Sequence, residues 1–478
     1  LAHQDLQAYL AYLEAHKLLH RVKVEVDPIF EIAAISDRVV KRGGPALLFE
    51  RVKGSTLPVA TNLFGSIDLV KAALEVTDLE EPARRLRALL ELPADSGGWL
   101  DKLRFLPRLA ELGRYLPRRV KEAPCQEVRV EPPSLEELPV LQLWPGDGGR
   151  FLTLPLVFTH DPLTGRRNVG MYRMQVFDAV TTGMHWHIHK DGAEHLRRSG
   201  DRLEVAVALG ADPAVIYAAT APLPPGLDEM LLAGFLRREP VEMVPALTVN
   251  IDVPARAEII LEGYVDPGET RLEGPFGDHT GYYSPADNYP VFHLTCMTRR
   301  RRAVYPATVV GPPPMEDAYL GKVTERLFLP LIQLQLPEVV DINFPPAGVF
   351  HNCVIVAIRK AYPGQARKVM HALWGMGQMM FTKLIIVVDA DVNVHDLQEV
   401  TWRVLGNIDP RRDAVIVDGP VDILDHAAPR RGFGSKMGLD ATRKLPEEGA
   451  SRPWPEEARA AREVLELIDR RWQEYGLA

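Results

Sequence analysis

Leu203–Leu209 (LEVAVAL), Glu258–Val265 (EIILEGYV) and Val291–Met297 (VFHLTCM) are the runs whose reading decides the fold. Each is short, rich in β-branched and aromatic residues, and bounded by Gly, Pro or Asp, which is the signature of strands rather than helices. Outward from them lie further runs of the same texture, Leu154–Thr159, Val169–Phe177 and Met243–Ile251. Regular short strands with such punctuation predict an antiparallel sheet or barrel, placed here over residues 121–315.

On either side the period changes. Asp5 is a predicted N-cap for a helix that turns Leu6, Tyr9, Leu10 and Leu13 inward. Val22–Val26 reads as a strand, 28–41 as a helix closed by Gly43-Gly44-Pro45, and Ala46–Phe49 as a second strand. From Asp68 to Val120 the pattern is Leu/Arg-rich and helical, with breaks at Pro93 and Gly97-Gly98, so residues 1–120 form a mixed α+β unit. After Gly311-Pro312-Pro313-Pro314, apolar runs at Val354–Ile358, Leu384–Val388 and Ala414–Val417 alternate with helical stretches at Gly364–Met379 and Asp396–Ile408. That order predicts βαβ units on a mainly parallel sheet over 316–450. A terminal helix in 451–478 carries Ala461, Val464, Leu465, Ile468 and Trp472 on one face, suited to docking on a core or a sister subunit. The expected class is α+β, multidomain.

With 478 residues, 46% hydrophobic and 25% charged, the chain can build a sizeable core in two or three domains. A net charge of −8 gives no basic field for a polyanion, so nucleic acid is not an expected partner. The run Arg299–Arg302 reads as a solvated turn. Three cysteines at wide spacing, Cys125, Cys296 and Cys353, form no disulfide framework and fit a reducing compartment. Apolar runs fall far short of the roughly 20 residues of a membrane span, and the start reads as a helix rather than a signal peptide. The expected location is the cytoplasm. The sequence opens on Leu1 rather than Met, so trimming or replacement of the first residues is expected.

Five polar segments stand out. Asn168 and Arg173 flank a strand-like run; odd spacing puts them on opposite faces unless Asn168 lies in a turn or the strand bulges at Gly170. His185, His187 and His189 alternate with Trp186 and Ile188, so a strand would aim three imidazoles to one side as candidate metal ligands. Glu242, heading its own run, adds a carboxylate that would suit Mn²⁺ or Mg²⁺ beside an amide and an imidazole. In Glu273-Gly274-Pro275-Phe276-Gly277-Asp278-His279-Thr280-Gly281-Tyr282-Tyr283, Pro275 and the glycines make an irregular loop that holds two carboxylates. Paired acids near an arginine allow one to stay charged while the other keeps a proton. Gly434-Ser435-Lys436-Met437-Gly438 reads as a small cationic loop able to approach a phosphate, without P-loop spacing. Serine hydrolase, zincin and dinucleotide-binding motifs are missing.

These segments together resemble the UbiD family of decarboxylases, especially its polyprenyl-hydroxybenzoate branch. The resemblance runs from Gly43–Glu50 and Asn62-Leu63-Phe64-Gly65 through Asn168–Arg173, Leu261-Glu262-Gly263-Tyr264 and Glu273–Tyr283 to Lys436–Thr442. It implies a central flavin reductase-like split β-barrel, a C-terminal α/β domain, and homo-oligomers, commonly dimers or hexamers. It implies prenylated FMN as electrophile and electron sink, supplied by a flavin prenyltransferase and held with Mn²⁺ and K⁺. The implied metal ligands are Asn168, His187 and Glu242, with His185 or His189 as alternatives to His187. Met171, Tyr172, Arg173, Trp186 and Lys436 are implied cofactor contacts. Glu273, Arg173 and Asp278 match the family's acid–arginine–acid site: Asp278 as proton donor, Glu273 and Arg173 as orienting ion pair, the two acids being exchangeable on sequence grounds.

The expected reaction is non-oxidative decarboxylation of a hydroxylated aromatic acid in ubiquinone or menaquinone biosynthesis, with at most peripheral membrane contact. Other readings are a flavin-dependent oxidoreductase on the same barrel, a UbiD-type decarboxylase of another aromatic or α,β-unsaturated acid, and a non-catalytic flavin binder, which would leave Glu273 and Asp278 without a task.

Overall fold

The computed structural model describes residues 3–90, 112–187, 191–224, 226–449 and 452–476. The first helix, Leu6–Ala15, is capped by Asp5, which accepts from the Ala8 N–H, and buries the four predicted residues. Leu19–Val26 pairs parallel to Ala46–Val52 across the helix Glu31–Val40, and Val59–Thr61 pairs antiparallel to Ala46–Val52. This small sheet is completed by Tyr305–Pro306, so the N-terminal unit is closed by chain that follows the central strands. The helical stretch from Asp68 contains Ile67–Leu74 and Glu80–Leu90; the breaks at Pro93 and Gly97-Gly98 lie outside the described residues.

The central runs assemble a seven-stranded sheet in the order Thr181–Gly183, Asp287–Arg299, Ile259–Glu273, Leu203–Leu209, Leu156–His160, Arg167–Met171, with Val128–Val130 also on Asp287–Arg299. Every pairing in it is antiparallel. Period-two alternation sorts its side chains: Val205, Val207 and Leu209 enter one apolar cluster, Ala206 and Ala208 the other. Both faces are therefore covered, and each fully buried aliphatic side chain contributes about 1.5–3 kcal/mol. No closed barrel forms among the described residues; the alternation delivers an open antiparallel sheet.

Several local expectations are corrected. Met243–Ile251 is not one strand: Glu242–Pro245 folds back on Asp252–Pro254. Val169–Phe177 is interrupted, because Arg167–Met171 belongs to the large sheet while Met174–Gln175 pairs with Phe151–Leu152. The histidine run is not a strand; pairing ends at Gly183, His185 to His187 are irregular, and His189 lies outside the described residues. The Lys436 segment is not a loop but lies inside the strand Phe433–Asp440, paired on both sides. Within Arg299–Arg302, Arg300 is buried, 2.7 Å from Asp5 and 3.6 Å from Glu258, because it ties the first helix to the central sheet.

The helix Glu316–Gln335 leads into a five-stranded sheet ordered Val339–Asn343, Cys353–Ile358, Leu384–Asp389, Phe433–Asp440, Ala414–Pro420. Its three inner strands are parallel and both edge strands antiparallel, close to the βαβ expectation. The terminal helix is Arg462–Arg471, and Val464, Leu465 and Trp472 remain exposed rather than docked on this chain. Among the described residues no helix is long and apolar enough to cross a membrane.

Glu316 joins the three parts: it accepts from the Phe64 N–H at 3.0 Å and from the Thr308 hydroxyl at 2.7 Å, fully enclosed. Burial pushes its carboxyl up to about 7. A carboxyl raised above its ordinary value near 4.3 keeps its proton in the fold longer than in the unfolded chain. Its contribution is complete below that value and is lost as pH rises to about 7. Relative to Glu316→Gln, the wild-type melting temperature should therefore fall between pH 5 and pH 8; a pH-independent difference contradicts this assignment.

Candidate active site

Arg173 sits where the strand is broken. Met171 is the last residue paired in the large sheet, Met174 begins a different pairing three residues on, and the Tyr172–Arg173 step between them frees the side chain from strand alternation. Asn168 stays inside the strand Arg167–Met171, so the break, not a turn, resolves the odd spacing. Glu273 is the last residue of the long strand Ile259–Glu273. It lies against Gly183, where an added Cβ would stand 2.6 Å from its Oε2, so a larger residue there would displace the carboxylate. Gly274 turns the chain at φ +94° and donates its N–H to Gln175 Oε1 at 2.6 Å. Gly277 donates to Asp147 Oδ1 at 2.8 Å, which pins the strand Phe276–Gly277 immediately before Asp278.

One guanidinium joins the two acids. Arg173 Nε is 3.1 Å from Glu273 Oε1, Nη1 bonds Asp278 Oδ2, and Nη2 is 3.1 Å from Ser284 Oγ. The guanidinium also lies 4.6 Å over the Phe276 ring. All three charged side chains are at least nine-tenths covered. His185 Nδ1 reaches the same Glu273 oxygen at 2.7 Å, while Glu273 Oε2 is buried with no hydrogen-bond partner among the described residues. Burial lowers the His185 pKa, against the raising effect of Glu273. Burial pushes the Asp278 carboxyl up, but the hydrogen bond from His279 and the charge of Arg173 outweigh it, and the net shift is well below the usual carboxylate range.

Arg173, Asp278 and His185 line a cavity of about 2150 Å³, with Glu273 behind Arg173 and outside the lining; the wall also includes Asn168, Met171, Tyr172, Trp186 and His187. The C-terminal part contributes apolar side chains to the same lining, among them Trp374, Met376, Met379 and Phe381. Buried in the described structure without hydrogen-bond partners are Asn168 Nδ2, Trp186 Nε1 and Glu229 Oε2. Orphaned polar groups facing a cavity mark a place for a polar ligand or cation. Glu229 opens the helix Glu229–Arg237, capped by Asp228, and burial pushes its carboxyl up to about 7. The sequence reading misses it, because an Asp-Glu pair heading an apolar helical run reads as an ordinary helix start.

Two expected site residues lie elsewhere. Glu242 does not line this cavity; Arg118 at 2.9 Å and Arg256 at 3.0 Å hold its carboxylate, a surface arrangement that leaves no reason for a cation there. Lys436 is turned inward by its strand, donates to the Met380 carbonyl at 2.7 Å, and is not in the cavity lining. His187 lines the cavity, with Nε2 2.9 Å from His185 Nε2.

Three family models cover the chain in succession: the N-terminal domain of 3-octaprenyl-4-hydroxybenzoate carboxy-lyase at residues 10–90, its Rift-related domain at 118–313 and its C-terminal domain at 318–441. The chain belongs to the UbiD family. An uncharacterized protein of Archaeoglobus fulgidus is 52% identical, over 99% of both chains. The UbiD-class enzyme HmfF from Pelotomaculum thermopropionicum, solved with FMN, is 33% identical with a TM-score of 0.80, covering 97% of this chain and 99% of that one. An evolved dimeric form of HmfF, solved with prFMN, is 32% identical with a TM-score of 0.79, over 98% of this chain and 100% of that one. Vanillic acid decarboxylase of Sedimentibacter hydroxybenzoicus in closed form is 28% identical, with a TM-score of 0.86 over the whole of both chains.

This UbiD-family chain is thus a carboxy-lyase of mixed α/β, multidomain build. In it, Arg173→Met would leave two carboxylates buried beside each other. Removing one partner of a buried ion pair costs about 3–5 kcal/mol, which a denaturant titration of the variant should show; a loss below about 1 kcal/mol contradicts the shared-guanidinium arrangement.

Proposed function

We propose that this UbiD-family protein removes CO₂ without oxidation from a hydroxylated aromatic carboxylic acid, with prenylated FMN and a divalent metal, in quinone biosynthesis. The observation that carries the reading is the buried Glu273–Arg173–Asp278 cluster, whose Arg173 and Asp278 line a cavity that also presents orphaned polar groups and an apolar surface. Solved relatives bearing FMN and prFMN support the cofactor, and one acting on vanillic acid supports an aromatic substrate. Another aromatic or an α,β-unsaturated acid fits the same chemistry.

Losing CO₂ from an aromatic ring leaves an electron pair on carbon; prenylated FMN, when bound, supplies the electron-accepting ring system for it. The protein's own groups do the rest. Arg173 orients the substrate carboxylate, and Glu273 holds Arg173 through Oε1. The wall of Trp374, Met376, Met379 and Phe381 excludes water from the reacting ring. Asp278 delivers the proton that replaces CO₂.

The divalent metal is assigned to Asn168, His187 and Glu229, which line the same cavity and offer oxygen and nitrogen donors of the kind that suits Mn²⁺. K⁺ would join it at the cofactor phosphate. A flavin prenyltransferase supplies the cofactor, and the exposed apolar face of the helix Arg462–Arg471 is the proposed contact between copies in a homo-oligomer.

The test is anaerobic CO₂ release by protein loaded with prenylated FMN. Asp278→Asn should lose about 10²–10⁴ in rate, the usual worth of a general acid, with cofactor still bound. Equal activity with plain FMN, or hydride uptake from NAD(P)H in place of CO₂ release, would overturn the reading. By Mn²⁺ electron paramagnetic resonance, Glu229→Gln should weaken metal binding at least about tenfold. Glu242→Gln should leave metal binding unchanged, and the reverse pattern contradicts the corrected ligand set.

A further inference from the structure

A proton donor held as a carboxylate has nothing to give, and Asp278 is gripped on Oδ2 by the Arg173 guanidinium and on Oδ1 by the His279 ring at 2.8 Å, contacts that favour its charged form. The proton must therefore be stored next to it. His279 Nδ1 is 2.8 Å from Asp278 Oδ1, on the side of the carboxylate away from the oxygen that Arg173 grips. His279 Nε2 is 3.0 Å from His351 Nε2, and His351 Nε2 is 3.8 Å from Asp422 Oδ2. His279 belongs to the loop after the strand Phe276–Gly277, whereas His351 and Asp422 come from the C-terminal part, so the chain of contacts crosses from one to the other.

Two imidazole nitrogens at hydrogen-bond distance share a proton: one donates and the other accepts. The contacts alone fit either a neutral pair or a pair with one extra proton. The surrounding charge decides between them. Asp278, Asp422 and Asp317 all face the His279 ring electrostatically, with Arg173 lying beyond Asp278. Asp317, near the start of the helix Glu316–Gln335, is half-buried in the lining of the same cavity. Burial of His279 works against its charge, but these acids outweigh it and raise its pKa. Phe350, with ring centres 5.2 Å apart, packs against His279.

We propose that the proton delivered to the substrate is stored on His279 and passes through Asp278, with His351 of the C-terminal part as the positioning residue that holds His279 for the transfer. This rests on the decarboxylase reading above. In the step, the His279 Nδ1–H bond breaks as an Asp278 Oδ1–H bond forms. That O–H bond then breaks as the new C–H bond forms with the electron pair left by departing CO₂. His279 ends neutral and Asp278 anionic, and one proton from water entering the cavity after product release restores the imidazolium.

Two measurements test it. In full-length protein with isotope-labelled histidine, the His279 resonance, assigned with His279→Gln, should titrate above the ordinary value of about 6.5. It should fall in His351→Leu and recover in His351→Gln, whose amide oxygen can still accept the Nε2–H. Titration at or below 6.5, or no response to His351→Leu, overturns the proposal. In prenylated-FMN-loaded protein, the rate of proton incorporation into product should fall as pH rises through the His279 titration, and His351→Leu should move that limb to lower pH. His279→Gln should slow proton incorporation about 10²-fold. CO₂ release with an unmoved limb overturns the proton store and leaves the decarboxylase reading intact. No CO₂ release from any aromatic acid by the wild type defeats that reading and takes this proposal with it.

Discussion

Two carboxylates and one guanidinium, all shielded from water, are the constraint on which the rest of the site depends. Buried like charges repel strongly at low effective dielectric, so Glu273 and Asp278 coexist only because Arg173 stands between them. Around that cluster the fold supplies fixed geometry. A long antiparallel strand ends at Glu273, a broken strand releases Arg173, and a short loop pinned by Asp147 and Gln175 carries Asp278. Each of these devices departs from regular alternation at the point where a functional group is needed.

The second constraint is that the site is shared. Its charged lining comes from the central segment, while apolar lining residues and His351 come from the C-terminal part. The same junction is tied from below by Glu316, which reaches the N-terminal unit through Phe64 and the end of the central segment through Thr308.

Much of this was legible from residue order. The capped first helix, the alternating central strands and the parallel core of the C-terminal sheet follow from local periodicity and buried apolar faces, and they fold as read. The Gly/Pro loop flanked by Glu273 and Asp278 marked the two acids, while their convergence on Arg173 came from the family resemblance, and the contacts bring all three together. What escaped was decided by tertiary pairing. Lys436 reads as a flexible glycine loop but is captured as a strand between Leu384–Asp389 and Ala414–Pro420. Glu242 reads as a candidate ligand, yet two arginines distant in sequence neutralise it. Glu229, at the head of an ordinary capped helix, carries no local mark that it faces a cavity.

The central claim is that Arg173, held between Glu273 and Asp278, faces the reacting carboxylate over the cofactor ring. A crystal structure of the protein with prenylated FMN and a bound aromatic acid tests it most directly. The account predicts the substrate carboxylate within hydrogen-bond distance of Arg173 and the Asp278 side chain beside the carbon that loses CO₂. A cofactor seated outside this cavity, or a substrate carboxylate pointing away from Arg173, would contradict it.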